Sequence, residues 1–351
     1  MSDRILMKGN EAVGEAAVRS GCRLYFGYPI TPASEIAEYM AYRLPQVNGT
    51  FIQAESELAA SNMLYGAAAA GKYAMTASSS PGISLMQEAI SYMAGAEVPA
   101  LIVDAMRGGP GLGDIQAAQS DYFQLTKGGG HGDYHVIVFS PYTIQEVINI
   151  MPLAFQTAFR YRNPVVVAVD GLIGQMMEAV EFNYFTDPEE IPLPDWSLSG
   201  KFRHGNKKNV NTSLELDPDK LEAINWRLQG KYHEIEEKES RYDYVGVDNP
   251  ETLVVAYGTV ARLTISAVKK VLGEGKSIGL FRPVTLWPFP KAALAQKAKS
   301  AKRIVVLEMS AGQLIEDVKL YVYDPTKQYE FHGHPGGTTF TPSEIEQILR
   351  G

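Results

Sequence analysis

Four stretches of this chain concentrate residue types that bind and activate small acidic molecules. In GYPITPASE (27–35), Thr31 and Pro32 stand before a helical pattern. Thr at an N-cap with Pro at the first helical position opens a helix whose free N–H groups favour an anion, such as a substrate carboxylate. The same residues would also serve as a plain cap. In FIQAESELAASNMLYGAAAAG (51–71), Glu55 and Glu57 precede an alanine-rich run. The helix dipole accounts for one acid there, but the small residues behind it imply close packing against another helix or chain. In TASSSPGISLMQE (76–88), three serines can donate hydrogen bonds to a bound group at a helix start, or simply form a capped turn. In VDAMRGGPGLGDIQAAQSDYF (103–123), continuing to KGGGHGDYH (127–135), Arg107 ends an apolar strand directly before glycines. A guanidinium in that place needs an anion or several acceptors. Its planar fork matches a carboxylate through two hydrogen bonds, and an internal salt bridge would satisfy it equally well. The glycines would let backbone approach a ligand closely.

These segments fall where an α/β sheet presents strand ends and helix starts to a ligand. Asn10 is predicted to cap a helix from Glu11 to Gly21, followed by a strand at 23–27. A helix capped by Thr31 runs to about Leu44, where Pro45 ends it. A strand at 51–54 leads to a helix at 55–70, and a strand at 73–77 leads through a Ser-Pro-Gly turn to a helix at 83–94. Apolar strands follow at 99–106, 135–140 and 164–170, with a long helix at 143–160 between the last two. Near-continuous apolar strands indicate a sheet covered on both faces, and the alternation predicts a mainly parallel α/β domain. From about 178 to 250 the pattern breaks into a proline cluster (191–195), a polar loop (201–213) and a charged helix at roughly 217–241. Alternation restarts at Thr252 and predicts a second, smaller α/β domain, with strands at 253–258, 277–281 and 303–309 and helices at 259–272, 290–299 and 311–319.

The 351 residues are enough for two well-buried cores. A net charge of -8 argues against a nucleic-acid partner. No apolar run approaches the length of a membrane helix, and MSDRILMKGNEAV has no apolar stretch long enough for a signal peptide, so a cytoplasmic location is expected. Cys22 is the one cysteine, so the chain cannot by itself ligate a cysteine-bound iron–sulfur cluster. Three local patterns are set aside. Gly275-Lys276-Ser277 follows a helix and has Lys270 where a phosphate loop needs its first glycine. GGPGLG (108–113) has Asp114 where the third glycine of a dinucleotide loop belongs. His332-Gly333-His334 reads as a surface turn, with no cysteine or acidic cluster near it in sequence.

Taken together, KGNEA (8–12), GYPITPASE (27–35), QAESELAA (53–60), SSSPGISLMQE (78–88), RGGPGLG (107–113) and GGGHGDY (128–134) resemble the alpha subunit of the 2-oxoacid:ferredoxin oxidoreductases. FRPVTLWPFP (281–290) is similar to the C-terminal domain of transketolase-like enzymes. The resemblance spans nearly the whole chain. Its wording is most similar to the 2-oxoisovalerate (3-methyl-2-oxobutanoate) branch, with pyruvate and 2-oxoglutarate as alternative substrates. It implies a pyrimidine-type thiamine-diphosphate-binding domain with a parallel sheet (1–185), a connector (186–250) and a transketolase C-terminal-like α/β domain (251–351).

The resemblance also implies roles. Glu57, nine residues before Gly66, would contact the aminopyrimidine ring, with Glu55 as the alternative. Pro29 would lie against the cofactor. Thr31 and Arg107 would hold the substrate carboxylate, and His131 would stand in the pocket wall. Leu112, Ile115, Tyr122 and Phe123 suggest an apolar wall suited to a branched chain. In the implied reaction thiamine is the electron sink for decarboxylation, coenzyme A takes the acyl group, and electrons leave singly through iron–sulfur clusters to ferredoxin. The diphosphate and magnesium motif is matched only by Val169-Asp170-Gly171, which lacks its first glycine. A beta subunit must therefore bring diphosphate, magnesium and a cluster, alongside a gamma subunit and a small ferredoxin-like subunit. The chain is expected to be inactive alone. Two rival readings remain: a subunit of a non-redox thiamine-dependent decarboxylase or transferase, and a non-catalytic scaffold subunit.

Overall fold

The computed structural model of the chain describes residues 4–186, 191–201, 205 and 207–351. Residues 202–204 and 206 of the predicted polar loop, and 187–190 of the connector, lie outside them. The first part comprises β1 (Ile5–Lys8), α1 (Gly9–Arg19), β2 (Leu24–Gly27), α2 (Ser34–Gln46), β3 (Thr50–Gln53), α3 (Glu57–Ala69), β4 (Ala74–Ser78) and α4 (Ser80–Gly95). It continues with β5 (Leu101–Met106), α5 (Tyr122–Thr126), β6 (Ile137–Phe139), α6 (Ile144–Tyr161), β7 (Val165–Asp170), α7 (Gly171–Gln175) and β8 (Met177–Val180). After α8 (Pro218–Glu239) come β9 (Tyr242–Gly246), β10 (Thr252–Val255), α9 (Gly258–Gly273), β11 (Ile278–Pro283) and β12 (Thr285–Trp287). The chain closes with α10 (Lys291–Ala298), β13 (Arg303–Glu308), α11 (Leu314–Tyr321), β14 (Gln328–Gly333) and α12 (Pro342–Arg350).

The larger sheet has the order β12-β6-β7-β5-β4-β2-β3 and is parallel except for the edge strand β12. Every residue of β5 and β7 is buried, as continuous apolar strands between helical layers require. β3 lies on one side of β2, whereas β4 and the strands beyond it lie on the other. The loops after β2 and β4 therefore diverge and leave a crevice at the carboxyl edge of the sheet. The smaller sheet runs β14-β13-β10-β11-β9, with only β9 antiparallel.

Several local expectations change. Asn10 is not a cap: α1 begins at Gly9, and the buried Asn10 amide donates to Pro32 O (2.7 Å) and Glu35 Oε2 (2.8 Å). It thus fastens the 28–35 turn to α1. Thr31 does not cap α2, which starts at Ser34. Thr31 sits in the turn before it, joined to Pro32 by a cis peptide. Pro45 lies inside the last turn of α2, which runs on one residue to Gln46. The predicted Ser-Pro-Gly turn is the first turn of α4, with Pro81 at the helix start, where a missing N–H costs nothing. The predicted domain boundary at 251 also shifts, because β9 already pairs with β11 of the smaller sheet. Within FRPVTLWPFP, β12 crosses back to pair with β6, its Trp287 stacked on His135. The two domains are therefore interlocked.

Asp170 shows why the DG pair is no metal loop. It is 1% exposed, and its carboxylate accepts from Ile173 N (3.3 Å), from Thr259 N (2.7 Å) and from the Thr259 hydroxyl. One side chain thus caps α7 of the first domain and binds the start of α9 of the second. Asp170→Ala would leave buried N–H groups at both helix starts unpaired. It is expected to destabilise the chain by about 3 kcal/mol or more, read as a lowered urea midpoint.

Candidate active site

The carboxyl edge of the larger sheet gathers the predicted segments. β5 delivers Arg107, which is 6% exposed. Its Nη1 donates to Thr31 O and its Nη2 to Leu112 O, each at 2.8 Å, while its buried Nε has no partner. No carboxylate lies within ion-pair distance of it among the described residues, so the internal salt bridge that sequence left open is not formed. A buried cation held by two neutral carbonyls is a site prepared for an anion. The 27–32 turn and the Arg107 loop, far apart in sequence, meet through the Thr31 carbonyl, with Pro29 exposed in the same turn.

Beside Arg107 lies the start of α4. Ser80 Oγ accepts from Arg107 N at 3.0 Å and donates to Asp121 Oδ2. One turn along, Gly82 packs on Glu57. A methyl group there would come within 2.8 Å of Glu57 Cγ and Oε1 and within 2.0 Å of Ser78 Oγ. Glu57 opens α3 behind the cap Ser56, whose Oγ accepts from Ala59 N at 3.2 Å. The Glu57 side chain is 7% exposed, whereas Glu55 is exposed on the approach. No hydrogen bond satisfies the Glu57 carboxylate among the described residues. The carboxylate is left open to a donor from a bound group. The fit of the thiamine aminopyrimidine rests on this. Gly82→Ala is expected to push Glu57 out of place and lower turnover of the assembled enzyme about tenfold or more, measured as kcat with saturating cofactor.

Thr31, Pro29, Arg107 and Glu57 are thus brought to one edge. His131 is not: it is exposed in a separate groove, with Tyr65, Tyr92, Tyr134 and Asn211, where the 128–132 loop lies over the middle of α4. The glycines there serve packing on Gln87 and Ser91. Tyr122 is also misplaced by the sequence reading. It is fully buried, and its hydroxyl donates to Asp317 Oδ2 at 2.7 Å. Leu112 (82% exposed) and Ile115 (55%) do stand on the open loop beyond Arg107.

The smaller domain braces this loop. Gln119, fully buried, donates to Tyr257 O and accepts from Met309 N, both at 3.0 Å. Gln313 joins Ser120 O and Phe123 N, both at 2.7 Å. Gly108 meets the Gly336–Gly337 turn so closely that a Cβ would stand 3.0 Å from Gly336 C. Sequence reasoning missed Asp121, Gln119 and Asp104 as parts of the site. An acid in the middle of the otherwise apolar LIVDAM was the available signal for Asp104.

Comparison with known proteins agrees with this arrangement. Residues 15–240 match the family model described as pyruvate flavodoxin/ferredoxin oxidoreductase, thiamine diP-bdg, and residues 250–345 match pyruvate:ferredoxin oxidoreductase core domain II. The chain is 50% identical over 319 residues to the ketoisovalerate oxidoreductase subunit VorB of Methanothermobacter thermautotrophicus, covering 90% of this chain and 89% of that one. It is 35% identical over 346 residues to the 2-oxoglutarate synthase subunit KorA of Archaeoglobus fulgidus, covering 99% and 98%. The solved 2-oxoglutarate:ferredoxin oxidoreductase of Magnetococcus marinus, with 2-oxoglutarate, coenzyme A and succinyl-CoA bound, superposes with a TM-score of 0.89 at 28% identity. That match covers 99% of this chain and 65% of the longer one. A split-gene transketolase shares the fold, with a TM-score of 0.59 at 13% identity. The chain therefore belongs to the pyruvate flavodoxin/ferredoxin oxidoreductase family and is a subunit of a thiamine-dependent 2-oxoacid:ferredoxin oxidoreductase.

Proposed function

We propose that the chain is the alpha subunit of a 2-oxoisovalerate:ferredoxin oxidoreductase, converting the 2-oxo acid and coenzyme A to acyl-CoA and CO2. The observation that supports it most is Arg107, a buried guanidinium with no carboxylate of its own beside the Thr31 turn. The substrate carboxylate is the anion that completes it, and Leu112 and Ile115 offer apolar contact for a branched chain. The naming of the relatives at about 50% identity supports the same substrate.

Glu57 would hold the aminopyrimidine of thiamine diphosphate by sharing a proton at its Oε atoms, and Pro29 would lie against the same group. When bound, thiamine diphosphate supplies the electron sink for loss of CO2. Arg107 and Thr31 keep the departing carboxylate aligned. Helix α3 leaves Leu58 (45% exposed) uncovered and α4 leaves Leu85 (56%) and Tyr92 (36%) uncovered, with Gly66 open to close approach. Uncovered apolar side chains on two neighbouring helices suit a protein partner. We assign it to a beta subunit bringing the diphosphate and magnesium site. A gamma subunit and a small ferredoxin-like subunit would complete the complex, with iron–sulfur clusters on the partners. The one cysteine, Cys22, is fully buried, and burial pushes its thiol up to about 12.

The test is to co-express the chain with its genomic neighbours, purify the complex anaerobically and follow coenzyme A-dependent reduction of a viologen dye. Strongest turnover with 2-oxoisovalerate, over pyruvate, 2-oxoglutarate and an aryl pyruvate, is the expected result. Preference for another of these acids would discard the pocket reading and keep the reaction. No reduction by any of them, in a complex holding thiamine diphosphate and intact clusters, would discard the reaction as well.

A further inference from the structure

Beneath Arg107 lies a pair of carboxyl groups that the reaction does not use directly. Asp104 is fully buried in β5, and among the described residues neither of its oxygens receives an N–H or O–H from a neutral donor. Its side chain meets that of Asp121, which is itself 7% exposed. Two carboxylates are acceptors only, so they can bond to each other only if one carries a proton. Enclosure disfavours two adjacent negative charges and raises both groups above the usual carboxylate range. The other groups acting on the pair are Arg107, which favours the charge on Asp121, and the nearby Tyr257 hydroxyl, pushed up by burial first and then by Glu308, Asp170 and the pair.

Asp121 is joined to Arg107 by one intermediate. The Ser80 hydroxyl donates to Asp121 Oδ2, and Ser80 Oγ in turn accepts the Arg107 N–H at 3.0 Å. Ser120, next to Asp121 in sequence, has its Oγ 3.3 Å from Arg107 O. The peptide of Arg107 is therefore clasped at its N–H by Ser80, which Asp121 holds, and at its carbonyl by Ser120. Asp121 also supplies negative charge to the Arg107 region without touching the guanidinium.

We propose that Asp104 and Asp121 share one proton and act as positioning residues: the single charge on the pair orients Ser80, and Ser80 fixes Arg107 for the 2-oxo acid. The arrangement gives the guanidinium a counter-charge one neighbour away. A direct salt bridge would instead occupy the fork that the substrate carboxylate needs. The inference rests on the reading of Arg107 as the substrate contact.

The test uses the assembled, cluster-containing complex. Infrared difference spectra between wild type and Asp104→Asn should show a protonated-carboxyl C=O band that the variant lacks. In kinetics, Ser80→Ala should raise KM for the 2-oxo acid about tenfold, the effect of one lost charge-linked hydrogen bond, and leave KM for coenzyme A unchanged. Asp104→Leu should show the same split, and Asp104→Asn should rescue it, because an amide N–H can donate to Asp121 as the carboxylic proton does. Loss of activity in Asp104→Asn equal to that in Asp104→Leu, or no wild-type infrared band, would overturn the proposal while leaving Arg107 as the substrate contact. An unmoved KM in Ser80→Ala would also overturn it, and needs no variant that strains the core. If Arg107→Ala itself leaves KM for the 2-oxo acid unmoved, the substrate reading falls, and the positioning role falls with it.

Discussion

Arg107→Ala in the assembled complex is expected to lower kcat/KM for the 2-oxo acid by roughly 10²–10³-fold, the effect of truncating one partner of an enclosed charge pair. The reason lies in what surrounds the guanidinium. It is 6% exposed, its two Nη groups are held by the Thr31 and Leu112 carbonyls, and no carboxylate among the described residues forms an ion pair with it. Removing it deletes the cation that meets the substrate and releases the contact between the Thr31 turn and the glycine loop. Arg107→Lys keeps the charge but cannot reach both carbonyls and a carboxylate with a planar fork. It should recover the loss chiefly in KM and little in kcat, since a point charge binds without aligning. Steady-state kinetics with the dye, varying the 2-oxo acid at saturating coenzyme A, measures both variants. Equal KM values in wild type and Arg107→Ala would remove Arg107 from the substrate site.

Glu57→Gln is expected to reduce kcat by about 10²–10⁴-fold, the usual contribution of a placed acid–base group, with the cofactor still bound. An amide of the same shape keeps the packing on Gly82 but cannot exchange a proton with a ring nitrogen. Isothermal titration of the complex with thiamine diphosphate separates the two effects: affinity should fall far less than turnover. Normal turnover would reassign the role, with the exposed Glu55 as the next candidate.

The legible part of this protein is local in origin. Runs apolar but for a single acid, such as LIVDAM and VVVAVD, read as strands covered on both faces, and β5 and β7 are buried throughout. Thr143 caps α6, its Oγ accepting from Glu146 N at 3.0 Å, and the helix follows at the expected residues. The long glycine- and serine-rich stretches marked the carboxyl edge because only tight turns tolerate them. Expectations failed where a polar residue had two possible partners. Asn10 and Thr31 both read as caps, yet Asn10 spends its amide on the Pro32 carbonyl and Glu35, and Thr31 offers its backbone carbonyl to Arg107. The resemblance points His131 to the pocket wall and the aromatic pair Tyr122-Phe123 suggests an apolar lining, but a groove over α4 and the interdomain core claim His131 and Tyr122.

The order of elements, the two α/β domains, the inability to ligate an iron–sulfur cluster alone and the segments of the site were determined by the sequence itself, since periodicity, turn chemistry and residue counts are properties of neighbours along the chain. Only the tertiary structure decided that Arg107 goes without a salt bridge, that Asp170 joins two helix starts, that β12 returns to the first sheet and that Asp104 lies against Asp121. Each of these depends on burial and on partners tens to hundreds of residues away. Whether a buried charge is paired, protonated or left open for a ligand is set by the groups that surround it in space, and no local pattern records them.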